Sequence, residues 1–113
     1  MLTVYGIKNC DTVKKSLKWL DGEGIAYSFH DLRADGLTAE TAQRWVDALG
    51  WESTLNRRST TWRELTDADK DALDATKAVA LLIQYPTLAK RPIFERKGLL
   101  INGFGDDVRA KLA

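Results

Sequence analysis

The sequence predicts an α/β fold ordered β-α-β, then helices, then β-β-α, around a four-stranded mixed sheet. Three observations carry the prediction. A short β-prone run at the N-terminus is joined to an alternating apolar run by one amphipathic helix length. The middle of the chain has helical periodicity with recognisable caps. Two apolar runs near the end flank a Lys-Gly pair and are followed by a last helical stretch.

Leu2-Thr3-Val4-Tyr5 is β-prone and followed by Gly6, the pattern of a strand that runs into a loop. From Cys10 the apolar positions fall at 10, 13, 17 and 20, the spacing of one helical face, which predicts a helix from about Asp11 to Asp21. Gly22 and Gly24 supply its stop. Ile25 to Leu32 alternates apolar residues at 25, 27 and 29 and reads as a second strand. Strand, helix and strand at such spacing imply a right-handed βαβ unit with parallel strands. The Cys10 loop then sits at the C-terminal end of the first strand, where ligands gather in open α/β sheets.

Further along, Thr38 is a suitable N-cap, and Leu37 and Ala42 are spaced as a hydrophobic staple across it. Trp45, Val46 and Leu49 continue the buried stripe to Gly50. Thr66 with Asp69 predicts another helix start, and a helix from about Thr76 ends before Pro86. These helices, over about 38–85, read as an insertion into one domain that spans residues 1–113. Ile93 to Arg96 and Leu99 to Ile101 flank Lys97-Gly98, the glycine that a tight hairpin needs. A last helix over about Gly105 to Leu112 buries Val108 and Leu112. With a proline just before the third strand, this is the plan of a thioredoxin-like domain.

Composition narrows the function. The 113 residues are 44% hydrophobic and 29% charged, enough to bury roughly two thirds of the extended chain's surface in one core. With 17 Lys+Arg against 16 Asp+Glu, there is no basic field for nucleic acid. The longest apolar run, Ala78 to Ile83, is too short to cross a bilayer, and MLTVYG lacks the basic and apolar regions of a signal peptide. One Cys with one His, His30, makes neither an internal disulfide nor a four-ligand metal site. The expected compartment is the cytoplasm, where thiols stay reduced.

Cys10 has two readings. It shares a stripe with Val13, Leu17 and Leu20, and free cysteine is among the most buried residue types, so periodicity alone favours packing. Against that, Cys10 precedes the helix, follows a strand and a glycine-containing loop, and has Lys8, Asn9, Asp11 and Thr12 as neighbours. A helix N-terminus favours an anion by about 0.3–1 kcal/mol. First-turn amides, Thr12, and the charge of Arg91 or Lys8 are further candidates to stabilise a thiolate, while Asp11 opposes them. His30 and the four tryptophans, Trp19, Trp45, Trp51 and Trp62, read as packing, and Lys14, Lys15 and Lys18 as a solvated face.

YGIKNCDTVKKS, LNRRSTTWREL (Leu55 to Leu65), TKAVALLIQYPTLAKRPIF (Thr76 to Phe94) and the closing GF-GDD segment resemble the ArsC/Spx/YffB family, most closely its YffB branch. The resemblance implies a thioredoxin-like fold with a helical insert, Cys10 as the redox centre, and a cis Arg91-Pro92 bond beside it. The arsenate-reducing branch holds its oxyanion with three arginines. Arg91 matches one. Asn56 stands near the second, with Arg57 and Arg58 shifted along, and Asn102-Gly103 stands at the third. These departures count against arsenate. Val13 replaces the second cysteine of Cys-x-x-Cys, which excludes internal disulfide chemistry.

The expected activity is therefore a thiol–disulfide oxidoreductase, a glutathione-dependent thiol reductase with catalytic Cys10 and an external thiol. Lys8, Asn9, Thr12, Arg57, Arg58, Arg91 and Pro92 are the expected glutathione or substrate contacts. Glutathione is the co-substrate and no cofactor is held permanently. Glutaredoxin or a disulfide-bearing protein is the expected partner, with no metal, nucleic acid or membrane, and the chain is expected to be a monomer. Two alternatives remain open at this point: an arsenate reductase dependent on glutathione and glutaredoxin, and a non-enzymatic, Spx-like partner-binding regulator.

Overall fold

The computed structural model describes all residues, Met1–Ala113, and resolves into two compact units: Met1–Asp35 with Arg91–Ala113, and Gly36–Lys90. The first unit holds the sheet. Its strands are β1 (Leu2–Gly6), β2 (Tyr27–Asp31), β3 (Ile93–Arg96) and β4 (Leu99–Asn102), in the order β2-β1-β3-β4. β1 is parallel to β2 and antiparallel to β3, and β3 is antiparallel to β4. This is the mixed four-stranded, thioredoxin-like sheet that the sequence predicts.

Two rows of cross-strand partners show how the alternation is used. Phe29, Val4, Phe94 and Ile101 are successive partners across all four strands. All four belong to one apolar cluster with Leu2, Leu20, Val108 and Leu112. Helix α1 (Asp11–Gly22) contributes Leu20 to this face, and a terminal helix (Asp106–Leu112) contributes Val108 and Leu112. Fully burying an aliphatic or aromatic side chain of this kind is worth about 1.5–3 kcal/mol, so the row fixes the register strongly. The next row, His30, Tyr5, Ile93 and Asn102, points to the other face. There the Tyr5 and His30 rings lie 5.0 Å apart, and the Tyr5 hydroxyl donates to Glu95 Oε1 at 3.1 Å.

Two sequence expectations are adjusted. The second strand begins at Tyr27 rather than Ile25 and ends at Asp31 rather than Leu32, because a four-residue helix, α2 (Leu32–Asp35), follows at once. In α1, Ser16 is fully buried beside Val13 and Leu20, while Leu17 is only half-buried. A polar residue is tolerated there because its hydroxyl donates to the Val13 carbonyl at 2.7 Å. The hairpin forms as expected, with Gly98 at φ 78° in its turn.

The second unit is helical: α3 (Ala39–Leu49), α4 (Trp51–Thr54), α5 (Thr60–Glu64), α6 (Asp67–Lys70) and α7 (Ala75–Gln84), then a 3₁₀ turn, Pro86–Leu88. The terminal helix Asp106–Leu112 of the first unit is α8. Thr38 caps α3 by accepting from the Thr41 amide, and Trp45 is fully buried. Thr66 and Asp69 form a capping box, yet α6 has only four residues. α7 starts at Ala75, capped by Asp74. Leu55 bridges Ala89, and the Lys90 amide donates to the Thr54 carbonyl at 2.8 Å, which fixes the segment leading to Arg91. No helix is long and apolar enough to cross a membrane.

Candidate active site

The first unit builds a site around the only thiol. β1 ends at Gly6, buried Ile7 anchors the start of the loop, and exposed Lys8 and Asn9 form a turn. Cys10 is the N-cap of α1, in extended conformation, with its carbonyl accepting from the Lys14 amide at 3.0 Å. It precedes the helix and is half-buried. Its sulfur takes no capping hydrogen bond from the first turn, so the expected contribution of first-turn amides as donors to sulfur is corrected.

The sulfur's partner comes from the far end of the chain. The Arg91 guanidinium donates a hydrogen bond to Cys10 and is paired with it electrostatically. Burial pushes the Arg91 pKa below the ordinary arginine value; the Cys10 charge and hydrogen bond act in the opposite direction, and the like charge of Arg33 adds to the lowering. Arginine stays cationic throughout the physiological range, so the half-buried guanidinium is a fixed positive charge beside the sulfur. Arg91-Pro92 is a cis peptide, Pro92 is buried, and the Pro92 carbonyl accepts from Gly103 at 2.9 Å.

Of the residues expected at the site, the structure brings Arg91 onto Cys10, with Pro92 next in the chain. Lys8, Asn9 and Thr12 are exposed on the loop and first turn that carry Cys10, and none of their side chains is recorded as a hydrogen-bond partner of its sulfur. Asp11 is exposed in the first turn. Arg57 and Arg58 belong to the helical unit. They are the two central residues of a turn in which the Asn56 carbonyl accepts from Ser59, and Asn56 Oδ1 accepts from the Arg58 amide at 3.1 Å. Asn56 therefore has a turn-forming role at the position where the resemblance places an arginine. The arginines project from that turn beside a groove of about 360 Å³, which Glu52 and Lys90 also line. Arg57 lies 4.0 Å from Glu52 in an exposed pair, a contact of little energetic weight.

One residue near Arg91 was not anticipated. Arg33, in α2, is an electrostatic neighbour of Arg91. The signal that finds it is topological: β1 and β2 are parallel with Gly6 opposite Asp31, so the segments after both strands emerge at one edge. No group of three His, Cys, Asp or Glu side chains converges to hold a metal ion.

Comparison with known proteins places this chain in a family. The ArsC family model matches residues 5–111. A protein of uncharacterised function from Haemophilus influenzae is 48% identical over 106 residues, covering 94% of this chain and 93% of its own. The solved structure of the YFFB protein superposes with a TM-score of 0.95 at 43% identity, covering 99% of this chain and 98% of that one. An arsenate reductase (ArsC) related protein from Brucella melitensis is 44% identical with a TM-score of 0.77, over 97% and 92% of the two chains. The global transcriptional regulator Spx of Streptococcus pneumoniae is 25% identical, over 99% of this chain and 86% of that one. With almost its whole length matched by the family model, and with relatives above 40% identity over nearly their full length, this chain belongs to the ArsC family.

Proposed function

We propose that the protein is a single-cysteine thiol–disulfide oxidoreductase, a thiol reductase that uses glutathione. The observation that supports it is the pairing of the Arg91 guanidinium with the Cys10 sulfur at the start of α1. A fixed cation beside a thiol favours the thiolate, which is the nucleophile.

The reaction follows from having one protein thiol. The Cys10 thiolate attacks one sulfur of a disulfide; a new S–S bond forms to Cys10, the old one breaks, and the other sulfur leaves as a thiolate that takes a proton. The thiolate of glutathione then attacks the sulfur bound to Cys10. That step forms a second, soluble disulfide and returns Cys10 as thiolate. When the sulfur held on Cys10 is itself that of glutathione, the soluble product is oxidised glutathione. Lys8 and Arg91 are the proposed contacts for the tripeptide's carboxylates, with Asn9 and Thr12 as hydrogen-bonding partners. Arg57 and Arg58 offer carboxylate contacts on their own groove.

Intact-mass measurement after incubation with oxidised glutathione tests the reading. One glutathionyl group is expected on Cys10, removable by reduced glutathione and absent from Cys10→Ser. A protein that takes no adduct, or an adduct that reduced glutathione leaves in place, sinks the proposal. Arsenite formation from arsenate with glutathione and glutaredoxin would favour the arsenate alternative. Partner capture unchanged by Cys10→Ser, with no adduct formed, would favour a regulator.

A further inference from the structure

Arg33 has no role in the reaction as written above, yet it lies within electrostatic reach of Arg91, the partner of the thiol. Asp31, the last residue of β2, stands opposite Gly6 in the parallel pair. Its Oδ1 accepts from the backbone amides of Arg33 at 2.9 Å and Ala34 at 3.3 Å, which fixes the turn into α2. Leu32, 1% exposed, pins the other side of that turn in the core. The backbone of Arg33 is thus set at the edge where the Cys10 loop also emerges.

Its charge is unbalanced. Arg33 is exposed and its guanidinium is paired with no carboxylate. Asp31 turns an oxygen to backbone amides, and Asp11 and Asp35 are exposed to solvent. Arg33 and Arg91 therefore repel each other, while the Cys10 thiol is the acid that bonds to Arg91. Exposed like charges usually have acids interspersed between them. A guanidinium left without a carboxylate beside the cation that holds the sulfur leaves room for a negative charge that arrives with the reactant.

We propose that Arg33 is a specificity-determining residue that, together with Arg91, selects disulfides and thiols carrying a carboxylate near the sulfur for reaction at Cys10. The inference rests on the thiol–disulfide reading and narrows its substrate class. Arg91 touches the sulfur and acts on every reactant. Arg33 lies further out and acts on the reactant's charge, so it discriminates between reactants without altering the thiol chemistry. The discrimination is electrostatic and fades as salt screens it.

Stopped-flow reaction of Cys10 with two aromatic disulfides separates these effects: dithiobis(nitrobenzoate), which carries two carboxylates, and neutral dithiodipyridine. The ratio of the anionic to the neutral rate is expected to fall about 3- to 10-fold in Arg33→Gln, to fall further in Arg33→Glu, and to recover in Arg33→Lys. The difference should largely vanish at about 0.5 M salt. Arg33 is exposed, so the variants should fold, and a thermal melt of each checks that they do. A ratio indifferent to residue 33, or an equal loss for both disulfides, overturns this inference alone. A wild type whose Cys10 reacts with neither disulfide overturns the proposed function and this inference with it.

Discussion

A Cβ placed on Gly6 would stand 2.7 Å from Cγ2 and 2.9 Å from Cγ1 of Val13, so the end of β1 lies directly against the first turn of α1. The loop that presents Cys10 is folded between these two contacts. Val13 is fully buried and branched at Cβ, so it has little freedom to move aside. Gly6→Ala is expected to destabilise the fold by about 1–3 kcal/mol, as overpacking of a filled site does. Val13→Ala in the same chain should recover part of that loss, because it vacates the atoms that the new methyl meets. Urea midpoints of the two single variants and the double variant measure it. Strict additivity would show that the contact is not the cause.

In the proposed reaction Arg91 serves the thiol at a cost to the fold. Its pKa is depressed on folding, first by burial. A group shifted in this direction contributes stability only above its unfolded pKa and loses that contribution as pH falls through the folded value. At pH 7, below both, the buried cation weighs against folding in full, and this term stays constant with pH from acid to neutral. Arg91→Met, which keeps an unbranched chain without the charge, should therefore leave the urea midpoint at pH 7 unchanged or raised. Alkylation of Cys10 by iodoacetamide at the same pH should slow by about 3- to 10-fold, a modest loss because the pair is only half-buried. Arg91→Lys should recover part of the rate, since it restores a charge but not the planar fork. A large loss of stability with undiminished alkylation would reverse the assignment and make Arg91 a structural residue.

The parts of this fold that were legible in the sequence are those with a repeating pattern or specific turn chemistry. β1, α1, α3 with its Thr38 cap, and the hairpin around Gly98 all have one of the two. α2, α4 and α5 have four or five residues each, scarcely more than one turn, and no periodicity can establish itself over that length. Cys10 was ambiguous because the helical stripe and the N-cap position coincide there. Spacing could not separate them; the pairing of a residue 81 positions further along the chain with the sulfur is what supports the reactive reading. Arg33 was invisible for a related reason. The cap from Asp31 is local, but its place at the Cys10 edge depends on the parallel pairing of Gly6 with Asp31, a tertiary fact rather than a local pattern. Ser16 was missed because a serine breaks an apolar pattern, although its hydroxyl is satisfied within its own turn.

On the face of the sheet that carries Tyr5 and His30, the Tyr5 hydroxyl donates to Glu95 across paired strands. Tyr5 is 8% exposed, so water replaces this bond poorly. Tyr5→Phe keeps the ring and its tilted contact with His30 and removes the hydroxyl. The expected loss is about 0.5–1.5 kcal/mol by chemical denaturation. Alkylation of Cys10 should be unaffected, because the hydroxyl faces β3 rather than the loop. A change in alkylation rate would tie this polar pair to the site and contradict its purely structural role.

Asn56 holds the turn that displays Arg57 and Arg58. Its Oδ1 accepts from the Arg58 amide, its carbonyl accepts from both the Ser59 amide at 3.2 Å and the Ser59 hydroxyl at 2.7 Å, and its own amide donates to Leu88 at 2.9 Å. Asn56→Ala removes only the first of these. The loss should be about 0.5–1.5 kcal/mol and local to the turn, since Ser59 still caps α5 through the Trp62 amide. Amide hydrogen exchange at Arg58 should accelerate, while exchange within α3 and α7 stays near that of the native chain. If Arg57 and Arg58 contact the carboxylates of glutathione, the looser turn should weaken the reaction with oxidised glutathione but not with a neutral disulfide. Rates unchanged from the native chain with both disulfides, together with faster exchange at Arg58, would show that the turn is flexible and that its arginines serve no part of the reaction.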